Sequence, residues 1–325
     1  MAKAMRIHRI GGPEVFVEDE ISVGAPGPGE ARIRQTAVGL NFLDTYIRNG
    51  AYPLRTPLPS ILGGEGAGVV DAVGSGVGHL KPGDRVVYSG QFGAYCTERL
   101  VAADRLIPIP AGITDVQAAA VFNKGMTTEY LIRRAYPVKR GDTILVHAAA
   151  GAVGLVMCQW AKHLGATVIG TVSTEAKADV ARANGCDHAI LYTRENFPER
   201  VRALTGGAGV PVVYDAVGKD TFEGSMDCLR PRGYLVCFGE ASGRVPPVDP
   251  HTLMNKGSIF LTRASMLHYN ITAEDTRTAA AALWDVVAKG AVKIHINQTY
   301  RLADVAQAHR DLEARKTTGS SVLLP

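Results

Sequence analysis

The sequence predicts an α/β protein of two domains, one built on a doubly wound parallel sheet and the other rich in short β-strands. Three observations carry this expectation. The chain has 325 residues, more than a single hydrophobic core normally serves. From residue 143 onward, β-branched apolar runs alternate with helical segments, the pattern of a parallel sheet covered on both faces. Before about residue 120, short runs are broken by Gly and Pro, as in GAPGPGEARIRQTAVGL, YPLRTPLPS and KPGDRVVYSG, which reads as strands joined by turns.

The elements follow in order. Pro82-Gly83-Asp84 predicts a turn feeding a strand over Arg85 to Tyr88. From Asp115 the texture changes, and VQAAAVFNKGMTTEYLIRRA repeats its apolar residues at helical spacing. TILVHA is then a strand, AVGLVMCQWAKHLG a helix and TVIGTV a second strand. TEAKADVARANG is a helix closed by glycine, HAILY a third strand and PERVRALTGG another helix. VPVVYDAV and GYLVCFGE are strands either side of a helix around TFEGSMDCL. The tail carries helices at Thr276–Lys289 and Leu302–Arg315 and a last strand in SSVLLP, and is expected to rejoin the first domain. The resulting division gives residues 1–122 and 264–325 to the β-rich domain and 123–263 to the parallel sheet. There is no internal repeat.

Composition excludes several classes. Hydrophobic residues make up 46% and charged residues 20%, ordinary values for a globular chain. The net charge of +4 (35 basic minus 31 acidic) comes from scattered residues, whereas a nucleic-acid footprint needs them gathered. MAKAMRIHRIGG lacks the apolar core of a signal peptide. Thr143 to Ala161 contains no Asp, Glu, Lys or Arg and has the length of a membrane span. Gly151 and Gly154 interrupt it between a β-type run and helix formers, so it reads as a buried strand, a turn and a buried helix. Five cysteines with no C-x-x-C pair, an odd count, point to reduced, buried thiols and a cytoplasmic protein.

The strongest local motif is AAAGAVG, Ala148 to Gly154, between a strand and a helix. Gly151 lets backbone approach a pyrophosphate, Gly154 lets the helix lie against the sheet, and the helix N-terminus offers free amides to the anion. Ala149 stands where the full G-x-G-x-x-G motif has its first glycine. The second strand ends GTVSTEAK, with Ser173 where an NAD site places an acidic residue and Lys177 one turn later. A serine and a lysine suit a 2′-phosphate, and Glu175 belongs to the helix's first turn, so the expected cofactor is NADPH.

A second pattern runs Gly63-Gly64-Glu65-x-x-Gly68-x-Val70-x-x-Val73-Gly74, then Gly83-Asp84-x-Val86. It resembles the G-H-E-x-x-G signature of medium-chain dehydrogenases, with Gly64 in place of the zinc-binding histidine. Upstream, Val38-Gly39-Leu40-Asn41-Phe42-Leu43-Asp44 carries Asn41 where the zinc enzymes have a cysteine. Catalytic zinc needs three strong protein ligands, so no metal is expected. Between Gln91 and Ala111 Cys96 is the sole cysteine, so the structural four-cysteine lobe is missing too.

From end to end the chain resembles the zinc-free quinone oxidoreductases of the zeta-crystallin type. GGPEV, GLNFLDTYIRNGAYP, FNKGMTT, HAAAGAVGL, VVYDAVG and TTGSSVLLP carry the likeness. Ala152 departs from it where relatives often have a second glycine. The resemblance implies a GroES-like catalytic domain, a Rossmann domain, NADPH-dependent quinone reduction and a homodimer. Carried over by position, its cofactor contacts fall on Asn41, Thr127, Gly151, Ala152, Val153, Gly154, Ser173, Lys177, Tyr192, Val217, Phe238, Gly239, Ser242 and Arg315.

A quinone accepts electrons readily, so Lewis-acid help is dispensable and the protein's task is positioning. Asn41, Tyr46 and Tyr52 are the expected catalytic residues: the amide donating to a quinone oxygen, the tyrosines stacking or relaying a proton. His147 reads as structural, and Lys124 has no assigned role. Two other functions remain in view: an enoyl or alkenal reductase using the same cofactor, and a crystallin-like structural or RNA-binding protein.

Overall fold

The computed structural model describes all 325 residues. The chain divides into two compact units: residues 1–124, 271–284 and 294–325 form one, and residues 125–270 and 285–293 the other.

In the first unit, the strand Glu30–Gly39 is the spine of a seven-stranded sheet. It pairs antiparallel with Glu65–Val73, with Glu98–Ala102 and with the C-terminal strand Ser320–Leu324, where Val322 faces Gly39. Its inward alternation, Ala31, Ile33, Gln35 and Ala37, is buried. The strand Arg85–Ser89 follows the Pro82-Gly83 turn and pairs with Glu65–Val73. A smaller sheet joins Phe16–Ile21, Ala2–Ile7 and Ser60–Ile61. Met5, Ile7, Ile33, Val70, Tyr88, Tyr95 and Leu323 belong to one shared core.

The second unit holds six parallel strands in the order His188–Leu191, Thr167–Val172, Thr143–Val146, Val210–Asp215, Leu229–Cys237, Phe260–Arg263. The order reverses between Thr143–Val146 and Val210–Asp215, the kind of switch point at which such sheets bind ligands. The central strands are buried on both faces, which is why they read as unbroken apolar runs.

Several elements differ from the sequence expectation. The helix Phe42–Arg48 was not expected, because it is a short element inside a β-rich region. The sixth strand, Phe260–Arg263, and the helix Pro250–Asn255 were likewise missed: the strand lies at the sheet edge and lacks the unbroken apolar character of a central one. The tail helices are Ala273–Ala288 and Val305–Glu313, the second entered through a 3-10 turn at Leu302–Asp304, so Arg315 lies beyond its end. The uncharged window from Thr143 to Ala161 is a strand, a turn and part of the helix Ala152–His163, and no helix of the chain is long and apolar enough to cross a membrane.

Candidate active site

In the second unit, the chain leaves the buried strand Thr143–Val146 and must turn at once into the helix Ala152–His163. Ala148 adopts the left-handed region, φ 53°, and accepts the Gly151 N–H at 2.8 Å. That conformation costs a non-glycine residue about 1–2 kcal/mol, so the surroundings must hold it. Gly151 caps the helix, and no acidic residue occupies the first turn. The amides of Ala152, Val153 and Gly154 precede the first intrahelical donor, Leu155, whose N–H reaches Gly151 at 2.9 Å. They form the positive end of a helix dipole, suited to an anion. A Cβ on Gly154 would stand 2.3 Å from the Ala148 carbonyl oxygen, so the third motif glycine is required by packing.

The other carried-over residues of this unit gather along the carboxyl ends of the same strands. Ser173 follows Thr167–Val172, and its carbonyl accepts the Thr193 hydroxyl at 3.1 Å. Thr174 caps the next helix by accepting the Lys177 amide at 3.3 Å, which puts Lys177 on its first turn. Tyr192 follows His188–Leu191 and is 39% exposed. Beyond Val210–Asp215, the buried Asp215 carboxylate accepts the amides of Val217 at 2.7 Å and Gly218 at 3.0 Å, fixing that loop. Ser242 clamps the loop from the next connection: its amide and its hydroxyl both donate to the Val217 carbonyl, each at 2.8 Å. The Phe238 amide donates to the Asp215 carbonyl, and a Cβ on Gly239 would lie 2.5 Å from the Ala216 carbonyl. Val217, Phe238, Gly239 and Ser242 are therefore one cluster. Thr127 is buried in the helix Asp115–Tyr130.

His147 lies beneath this edge. Its ring bonds the hydroxyls of Thr171 at 2.8 Å and Ser225 at 2.9 Å, and Ser225 donates to Asp215 at 3.0 Å. Burial lowers its pKa against the opposing pull of Asp215. The imidazole is a buried strut that braces Asp215 and, through it, the Val217 loop.

In the first unit, Asn41 caps the helix Phe42–Arg48, and its amide N–H donates to the Asp44 carboxyl at 3.0 Å. Its side chain is held at both ends. Nδ2 donates to Glu65 at 3.2 Å, and Oδ1 accepts the Asn123 side-chain amide at 3.0 Å. Glu65 also accepts the Asn123 backbone N–H and the Lys124 ammonium, each at 2.5 Å. Glu65 and Lys124 are both fully buried. Sequence alone placed Glu65 within its motif without giving it a role, and passed over Asn123. A buried carboxylate beside a lost ligand position was the signal available.

Tyr46 and Tyr52 stack, centroids 5.5 Å apart and planes 24° apart, and the Tyr52 amide donates to the Tyr46 carbonyl at 2.9 Å. Tyr52 also packs on the core. Arg315, past the helix Val305–Glu313, has φ 56°. Asn41, Tyr46, Tyr52 and Arg315 belong to the first unit, and the remaining carried-over residues to the second.

Behind Asn41 runs a buried chain of hydrogen bonds. Arg48 donates to His309 Nδ1 at 2.8 Å, so the neutral ring carries its proton on Nε2 and donates to Tyr95 at 3.0 Å. Tyr95 in turn donates to Asp44 Oδ2 at 3.0 Å, while Asp44 Oδ1 has no partner. Burial raises the Asp44 carboxyl to about 7, and burial with the nearby Arg48 holds His309 down to about 3.

Gly64 supplies no ligand atom, and a Cβ there would meet only the Phe92 ring at 3.6 Å. Cys96 is buried, donates to the Gly93 carbonyl at 3.3 Å, and has its thiol pushed up to about 11 by burial. No group of three His, Cys, Asp or Glu side chains is placed to hold a metal ion.

Comparison with known proteins matches residues 27–138 to the alcohol dehydrogenase GroES-like domain and residues 152–285 to the zinc-binding dehydrogenase domain. A quinone oxidoreductase of Pseudomonas aeruginosa is 51% identical over the whole of both chains. A 2-haloacrylate reductase of a Burkholderia species is 47% identical over 100% of this chain and 99% of its own. Among solved structures, Escherichia coli quinone oxidoreductase complexed with NADPH superposes with a TM-score of 0.97 at 46% identity, over 99% of this chain and 100% of that one.

Proposed function

We infer the activity from one premise: this chain belongs to the quinone oxidoreductase family, the zinc-free branch of the medium-chain dehydrogenases. It reduces quinones with NADPH, by hydride transfer that needs no metal ion. The observation that carries the reading is the glycine turn, whose three free amides head a helix with no acid in its first turn. The residues present fit the cofactor. Ala152, Val153 and Gly154 hold the pyrophosphate, and Ser173 and Lys177, with no carboxylate at the strand end, take the 2′-phosphate. Tyr192, Val217, Phe238, Gly239 and Ser242 line the path along the sheet edge, with Thr127, Asn41 and Arg315 as further contacts.

Bound NADPH supplies the hydride. The protein orients and shields. Asn41 donates an Nδ2 hydrogen toward the acceptor oxygen, giving up its long 3.5 Å contact with the Gly39 carbonyl, and the stacked pair Tyr46 and Tyr52 offers a flat aromatic surface to a flat acceptor. The Burkholderia relative's name favours a second acceptor class, conjugated alkenes bearing a carboxylate or carbonyl. A panel of benzoquinones, larger quinones and 2-alkenals at equal NADPH separates the two. Quinones turning over fastest supports the reading, and turnover confined to alkenals replaces it.

The same reading makes the protein a cytoplasmic homodimer. Five free, buried cysteines suit a reducing compartment. The strand Phe260–Arg263 is a sheet edge, and Phe260 is 51% exposed on it, a surface for pairing with a second copy. Light scattering gives the mass in solution.

A further inference from the structure

We propose that Lys124 and Glu65 are positioning residues for hydride transfer, acting through Asn41; this rests on the quinone reductase reading. Three residues close a ring. Asn41 Nδ2 donates to Glu65, Asn123 Nδ2 donates to Asn41 Oδ1, and the Asn123 backbone N–H donates back to Glu65. A carboxylate only accepts, so Glu65 dictates which end of the Asn41 amide faces it. The amide cannot flip, and the Nδ2 hydrogen that Glu65 does not take, held only by the Gly39 carbonyl at a long 3.5 Å, is the one available to a substrate oxygen.

Lys124 completes the arrangement. Its ammonium donates to the same Glu65 oxygen that accepts Asn41. Both charges are buried, Glu65 at 0% and Lys124 at 1% exposure. A buried ion pair stabilises a fold no better than apolar residues of the same volume, so its presence calls for another reason. Here it holds an acceptor-only group against an amide that must not rotate. Asn41 stands where the zinc enzymes carry a ligand, and the ring replaces a metal's fixed geometry with a fixed hydrogen-bond donor.

Glu65→Gln/Lys124→Met tests this, because it removes both charges together and leaves neither buried alone. The substituted side-chain amide offers a donor as well as an acceptor, so the orientation of Asn41 is no longer dictated. The expected result is a fall in kcat for quinone on the order of 10- to 100-fold, the cost of a misdirected group. The deciding readout is a cycle with Asn41→Ala. In that background the paired substitution should cost less than about twofold, since coupled residues are non-additive. Asn123→Ala, which frees Asn41 Oδ1 and leaves the Glu65–Lys124 pair in place, should give a smaller fall in kcat that likewise vanishes in the Asn41→Ala background, and stands in if the paired variant does not fold. An unchanged kcat, or a full loss persisting in the Asn41→Ala background, overturns the inference. If the unmodified protein reduces no quinone, the functional reading fails, and the inference with it.

Discussion

Gly154 lies so close to Ala148 that a Cβ on it would stand 2.3 Å from the Ala148 carbonyl oxygen, a separation only backbone movement can relieve. Gly151, three residues earlier, would place its Cβ at 3.1 Å from the same oxygen, with φ −78° and ψ 172°, a conformation open to any residue. The two glycines therefore answer different demands. Gly154→Ala should lower the melting temperature by several degrees, whereas Gly151→Ala should lower it less and weaken NADPH binding tenfold or more, about 1.4 kcal/mol. Thermal melts beside fluorescence titrations check this, and equal losses of stability would contradict it.

Cofactor choice rests on Ser173 and Lys177. Ser173→Asp places a carboxylate where the 2′-phosphate sits. It should raise the NADPH dissociation constant by about 10- to 100-fold, with little change for NADH. Titration of both cofactors decides, and an equal effect on the two would remove Ser173 from phosphate recognition.

Asp44 and His309 give stability a worked pH dependence. The Asp44 carboxyl ionises at about 7 when folded, against 3.8 in a free chain, so its contribution is complete at low pH and is lost as pH rises through 7. His309 ionises at about 3 against 6.5, so its contribution is present above 6.5 and is lost as pH falls toward 3. Asp44→Asn keeps acceptors for Asn41 and Tyr95 and cannot ionise. Its melting temperature should fall less than the parent's between about pH 4 and pH 7, by a few degrees. Parallel melting curves across that range would contradict the Asp44 assignment.

Arg315 holds φ 56° just past a helix end, where glycine is the unstrained choice. Arg315→Gly should keep or slightly raise stability while weakening NADPH binding. Arg315→Ala should weaken binding equally and retain the backbone strain. Intact affinity in both variants would take Arg315 out of the cofactor site.

The sequence shows the parallel sheet because its strands are buried on both faces, which leaves unbroken apolar runs at Thr143–Val146, Thr167–Val172 and Val210–Asp215. It also shows the glycine turn, where backbone proximity admits few residue types. The helix Phe42–Arg48 and the edge strand Phe260–Arg263 escaped: one is too short for a clear period, and the other is exposed on its outer side. The candidate site was half legible. Asn41 stood out by replacing a ligand. Its partners Glu65, Asn123 and Lys124 come from a strand and a helix distant in sequence, and no local pattern reveals a ring that only folding closes.

The most direct test is anaerobic NADPH oxidation with 1,4-benzoquinone by protein exhaustively treated with a chelator and confirmed free of zinc. Turnover should be undiminished, and added zinc should not raise it. Turnover abolished by the chelator and restored by zinc would contradict it.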